Sequence, residues 1–118
     1  MAENQLVILS KSFAVAIIKL CEKLRERKKA TAILNQLLRS GTSIGANLAE
    51  AAMAISRKDF QAKVYVALKE CAETQYWLEL LKETDYLTEE QYQSLFRDCD
   101  ELRKMLSATT ATLNKSET

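Results

Sequence analysis

Leu37-Leu38-Arg39-Ser40-Gly41-Thr42-Ser43-Ile44-Gly45-Ala46-Asn47-Leu48-Ala49-Glu50 is the stretch that decides how this chain folds. Both glycines of the protein stand in it, four residues apart, within a run whose apolar residues recur at helical spacing. Leu34, Leu37, Leu38, Ile44, Leu48, Ala52 and Ile55 fall on one side of a helical wheel, with Gly41 and Gly45 in the middle of that side. A glycine inside a helix costs about 0.5–1 kcal/mol relative to alanine. Two of them on a buried face predict a helix that another helix backbone approaches closely, with the remaining helices laid against it.

Working outward, the 118 residues contain no proline, so nothing interrupts long helices, and strong helix formers dominate the composition. The expected fold is all-α, one domain over residues 1–118, an up-down-up-down antiparallel four-helix bundle with helices at about 4–27, 30–55, 57–83 and 89–113. In the first helix Leu6, Leu9, Phe13, Ile17, Leu20, Cys21 and Leu24 form the core stripe, while Ile8, Val15 and Ile18 form a second apolar strip opposite it. The third helix starts behind a strong signal: Ser56 as cap, Asp59 as its reciprocal acid, and Ile55 with Phe60 as a hydrophobic staple. Thr88, Gln91, Leu87 and Tyr92 repeat that signal before the fourth helix. Tyr65, Val66, Tyr76 and Trp77 spread around the third helix, which leaves it too little polar surface to face water. Surplus apolar surface on the first and third helices predicts a homo-oligomer joined through Ile8, Val15, Ile18, Tyr76 and Trp77. The tail from Asn114 has nothing to bury and is expected to fray.

Composition excludes several kinds of chemistry. Without histidine there is no Ser-His or Cys-His nucleophile pair, no Cys/His zinc site and no Glu-x-x-His di-iron pair. Gly41-x-x-x-Gly45 lies inside a helix rather than between a strand and a helix, so it is no phosphate loop. The carboxylate pairs Glu70 with Glu73 and Glu79 with Glu83 lie beside Lys69 and Lys82 and read as solvated surface. Cys21, Cys71 and Cys99 are odd in number, far apart and on apolar faces, as free thiols packed in a reducing cytoplasm would be. No secretory leader or apolar run of about 18–20 residues is present. The expectation is a cytoplasmic non-enzyme with no cofactor, metal or membrane partner.

Formal charge is +1, which gives no global field for nucleic acid. The usable cations gather in two places, Arg25, Arg27, Lys28 and Lys29 after the first helix and Arg57 with Lys58 at the start of the third. An antiparallel bundle puts these at opposite poles, each enough for a few phosphate contacts that an assembly of subunits would multiply.

The segment Gln36–Ala51 resembles a bacterial four-helix-bundle family that includes proteins encoded in intervening sequences of 23S ribosomal RNA genes. The likeness continues through Ser56–Phe60, Ala67–Glu70, Glu73–Leu78 and Asp85–Glu90. It implies a homopentameric ring and, by way of the accessory variability proteins of diversity-generating retroelements, RNA or ribonucleoprotein partners. Those relatives are basic, whereas this chain is close to neutral. The resemblance carries no catalytic residues. The expected role is an oligomeric RNA-binding accessory protein; the alternative is a protein-interaction scaffold with no nucleic-acid role.

Overall fold

A computed structural model describes residues 2–27 and 30–116. It contains four helices: α1 (Ala2–Arg25), α2 (Thr31–Ala51), α3 (Arg57–Glu83) and α4 (Glu89–Ser116). Each packs on its two neighbours in the order α1-α2-α3-α4-α1, and among the described residues the backbones of the diagonal pairs stay apart. The result is the antiparallel four-helix bundle the sequence predicts, 49 × 22 × 21 Å. Among the described residues no helix is long and apolar enough to cross a membrane.

α2 is where the packing is tightest. A Cβ on Gly41 would stand 3.0 Å from two side-chain carbons of Ile17, and one on Gly45 would stand 3.4 Å from Ser10 Oγ. Ile17 is completely buried as a result. On its other side α2 offers Ser40, whose Oγ accepts a 2.9 Å hydrogen bond from Thr74 Oγ1 of α3. Both hydroxyls also donate to, or share, a carbonyl one turn back, Ser40 with Leu37 and Thr74 with Glu70, so neither is left unpaired in the core. All three cysteines are buried and unbridged. Burial pushes the Cys21 thiol up, and the Cys99 thiol is raised first by its contact with Cys71 and then by burial, which keeps both unreactive.

The limits of α1, α2 and α4 differ from the expected ones. α2 stops at Ala51 rather than near residue 55, because the backbone tightens into a turn in which Met53 N–H bonds Glu50 O and Ala54 N–H bonds Ala51 O. Ala52 and Ile55 therefore leave the core side, and Ile55, 94% exposed, makes no staple with Phe60. Asp59 instead holds Ile55 N–H at 3.2 Å, while Ser56 Oγ caps Asp59 N–H at 3.0 Å. α1 spans Ala2–Arg25, two residues earlier at each end than expected. α4 continues to Ser116, so 114–116 are helical where fraying was expected, and Glu117 and Thr118 lie outside the described residues. The second capping box forms in full: Thr88 N–H bonds Gln91 Oε1 and Gln91 N–H bonds Thr88 Oγ1.

The two glycines should respond differently to substitution. Gly41→Val drives a branched side chain into Ile17 and is expected to cost about 2–3 kcal/mol in urea unfolding, the upper part of the overpacking range. Gly45→Ala meets only ordinary contact and should be neutral or stabilising by up to about 1 kcal/mol through helix propensity. Equal effects at the two positions would contradict this close-approach account.

Candidate functional site

Arg25 and Arg27 lie at the pole opposite Arg57 and Lys58. At one pole α3 ends in a left-handed turn, with Asp85 at φ 65°. Asp85 N–H bonds Lys82 O and Tyr86 N–H bonds Leu81 O, which satisfies the last carbonyls of the helix. This turn sets Tyr86 beneath Arg27, whose guanidinium lies 4.6 Å from the ring centroid and donates to Tyr86 O at 3.3 Å. Arg25 donates to Asn35 Oδ1 at 2.6 Å. Both arginines are thus held by the fold, each with further guanidinium donors. The same pole carries exposed Glu26, Glu83, Asp85, Glu89 and Glu90. Lys28 and Lys29 lie outside the described residues.

At the other pole Arg57 and Lys58 come directly after the Ser56 cap, and both are exposed. Arg57 donates to the Leu113 carbonyl at 3.3 Å, a cation placed at the C-terminal end of α4 as its dipole favours. Of the carboxylates described nearby, Glu50 pairs with Lys63 at 3.0 Å and Asp59 accepts the Ile55 N–H at 3.2 Å. Lys58 opens onto a shallow groove of about 620 Å³ between α3 and α4, lined also by Gln61, Tyr65 and Asn114. Lys58 makes no ion pair among the described residues.

The apolar faces divide in the same way. Ile8, Val15, Ile18 and Tyr76 are exposed, joined by Val7 and Tyr65, which sequence reasoning leaves outside the interface. Trp77 is not a free surface residue. It packs against the core, and its Nε1 donates to Glu73 Oε2 at 3.0 Å. Glu73 also binds Arg39 of α2, and Arg39 reaches Glu70 at 3.0 Å. The carboxylate pair read as solvated surface is therefore an α2–α3 clasp. A single sequence carries no signal for it, since Arg39 stands more than thirty residues from its partners. Ser43 and Asn47 bond within α2, Asn47 Nδ2 donating to Ser43 Oγ at 3.1 Å and to its carbonyl at 2.8 Å. Between α1 and α2 runs a groove of about 400 Å³ floored by small residues, Ala14, Thr42, Ala46 and Ala49, with Val7 and Lys11 on its edge. Among the described residues no group of three or more metal-ligating side chains occurs.

A family model described as 23S rRNA-intervening sequence protein matches residues 2–108. A crystal structure from Bacteroides thetaiotaomicron, described as a protein of unknown function from the S23 ribosomal protein family, is 47% identical over 94% of this chain and 99% of its own. The two superpose with a TM-score of 0.91. No curated protein matches the chain.

Glu73 offers an internal probe, because Trp77 is the sole tryptophan. The Trp77 N–H bond, and next the Arg39 ion pair, hold the Glu73 carboxyl below the usual carboxylate range against the opposing pull of burial. A depressed carboxylate stabilises the clasp fully above its ordinary pKa and loses that contribution as pH falls through the lowered value. Trp77 emission should therefore change with a midpoint below the ordinary glutamate range. Glu73→Gln should abolish that transition, and a transition unchanged by the substitution would refute the assignment.

Proposed function

The chain belongs to the 23S rRNA-intervening sequence protein family, and from that premise we propose that it is a non-enzymatic, ring-forming accessory protein that holds RNA backbone at one end of its bundle. The observation that carries the ring is the placement of its spare apolar surface. α1 and α3 are diagonal in the bundle, so their exposed faces point in opposite directions and differ from one another. Such faces pair head to tail, and a head-to-tail contact closes into a ring or grows into a filament.

Height supports the same pairing. Gly41 contacts Ile17 and Ser40 bonds Thr74, so Ile17 and Thr74 lie at nearly one level on helices that run in the same direction. Nine residues back from that level stand Ile8 and Tyr65, and just beyond it stand Ile18 and Tyr76. The large tyrosines of one subunit thereby face the small-residue groove and isoleucines of the next. A side of the bundle offers about 1,000 Å² (49 × 21 Å), against the roughly 800 Å² per partner of a stable interface. The family likeness favours five subunits. Buried, unbridged thiols fit a reducing cytoplasm.

A parallel ring gathers the Arg57–Lys58 ends of all subunits on one rim and the Arg25–Lys29 ends on the other. Charge favours the Arg57–Lys58 rim for phosphate, since the opposite pole brings its own exposed carboxylates. Near-neutral net charge favours the competing reading, a protein scaffold without RNA.

Light scattering during size exclusion should give a multiple of the 13.4 kDa chain mass, five-fold if the family ring forms. Ile18→Glu with Tyr76→Glu should return the protein to 13.4 kDa while keeping its helical circular dichroism. A wild-type monomer would end the ring reading. Fluorescence anisotropy with structured RNA should show affinity falling steeply with salt, as counterion release requires. Lys58→Glu should lower affinity at least about tenfold and flatten the salt slope, with Arg27→Glu weaker in effect. No binding at low salt would leave the scaffold reading in place.

A further inference from the structure

The α2–α3 connection carries the two most exposed large apolar side chains among the described residues, Met53 at 82% and Ile55 at 94%. Their backbone is fastened. The N–H groups of Ala52, Met53 and Ala54 bond the carbonyls of Leu48, Glu50 and Ala51, and Ile55 N–H bonds Asp59 Oδ2. A turn held in this way presents its side chains without further ordering cost.

Beside this turn the end of the bundle is hollow. A cavity of about 190 Å³ opens among Leu6, Leu48, Ala51, Ala52, Phe60 and Val64. The sequence explains it. α4 sends Leu95, Cys99, Leu102 and Leu106 into the core, but its next residues, Ser107–Thr112, include nothing larger than threonine. α2 stops at Ala51, and the Met53 that follows stands in solvent. Protein interiors are close-packed, so the walls of such a hollow forgo the contacts that a filling side chain would make. No charged side chain lines it, and the hydroxyl of Thr109, also in its wall, already donates to Met105 O. What fits there is an apolar group.

The projection and the hollow adjoin, since Ala52 lines the cavity and Met53 is the next residue. A patch that carries both a knob and the hole to receive one is self-complementary, which is the condition for a two-fold contact. Methionine, unbranched and with three rotatable bonds, is suited to irregular apolar gaps. A second copy of the chain fills the hollow and covers the projection in the same contact. We infer that two copies meet end to end about a two-fold axis, Met53 of each entering the Leu6/Leu48/Phe60 hollow of the other with Ile55 packed at its edge. The end of one bundle offers about 460 Å² (22 × 21 Å), short of the roughly 800 Å² per partner of a stable interface, so single chains pair weakly. The firm form rests on the ring proposed for the chain, in which all the ends of one rim engage a second ring together and each contact raises the effective concentration for the next. Arg57 and Lys58 stand on that rim, so paired rings are closed to phosphate there.

Sedimentation velocity of the full chain, from micromolar to millimolar protein, tests this. The mass of the wild-type ring should rise to twice its value and stop, because a two-fold contact closes, and ammonium sulfate should favour the doubled form. Met53→Ser with Ile55→Ser should move the doubling to at least about tenfold higher protein concentration. Ala52→Arg should do the same from the side of the hollow, by setting a charge at its mouth. All three side chains are exposed, so both variants should keep the wild-type circular dichroism and melting temperature. In the Ile18→Glu/Tyr76→Glu background single chains should still reach twice 13.4 kDa at millimolar protein, which separates the end contact from the ring. Wild type that passes only from one chain to two would end the ring reading and keep the end contact. Wild-type mass that does not rise with concentration, or that grows past doubling, would overturn the inference. So would doubling of the serine and arginine variants at wild-type concentrations.

Discussion

The close approach of α2 to both of its neighbours is the constraint on which the rest of the structure depends. On one side the missing Cβ of Gly41 lets α2 settle against Ile17, and on the other Ser40 meets Thr74 through a buried hydroxyl pair. Apolar packing alone tolerates small slides of one helix along another, since leucine and isoleucine contacts exchange at little cost. The hydroxyl pair does not. Separating two buried polar partners leaves groups whose desolvation costs about 1–3 kcal/mol each. Gly41 and Ser40 are adjacent, so the same turn of α2 fixes the height of α1 and the height of α3. Two helices at opposite corners of the bundle are thereby held level.

The same logic separates the charges that can reach a partner from those that cannot. Arg39, Lys63, Lys82 and Arg103 are paired with carboxylates, and Arg27 is stacked on Tyr86. Exposed pairs of this sort add little stability, but each withdraws a cation from the outside world. What remains depends on which pole a residue occupies. The α1–α2 connection shares its end of the bundle with the α3–α4 connection and its exposed Glu83, Asp85, Glu89 and Glu90. Local placement, not total charge, sets where phosphate contact is favourable.

Much of the architecture was legible from periodicity. The α3 limits and the Thr88–Gln91 box follow from local residues, because capping chemistry acts across three positions. Boundaries failed where the local signal ran on past the fold. Ala51 to Ile55 continues the apolar rhythm of α2 with no glycine or proline to stop it, and only the Ser56 cap requires the chain to turn. The cation groups were legible as well, as were their opposite poles. Their partners were not. Asn35, Tyr86 and the Leu113 carbonyl reach Arg25, Arg27 and Arg57 across helix boundaries, and the Arg39 clasp joins α2 to α3. Such pairings exist only once helix heights are set, and nothing in a single strip of sequence encodes them.

The early end of α2 also decides where Met53 and Ile55 stand. Inside a helix, both would be explained by the core they face. In a turn they have no such explanation, and burying them against Phe60 would have cost the chain little, since Ser56 and Asp59 already supply the geometry of a staple. Asp59 instead accepts the Ile55 N–H, and the Ile55 side chain stands in solvent. An exposed apolar residue on a loose loop is ordinary surface. On a backbone with successive N–H groups fastened it is a fixed shape.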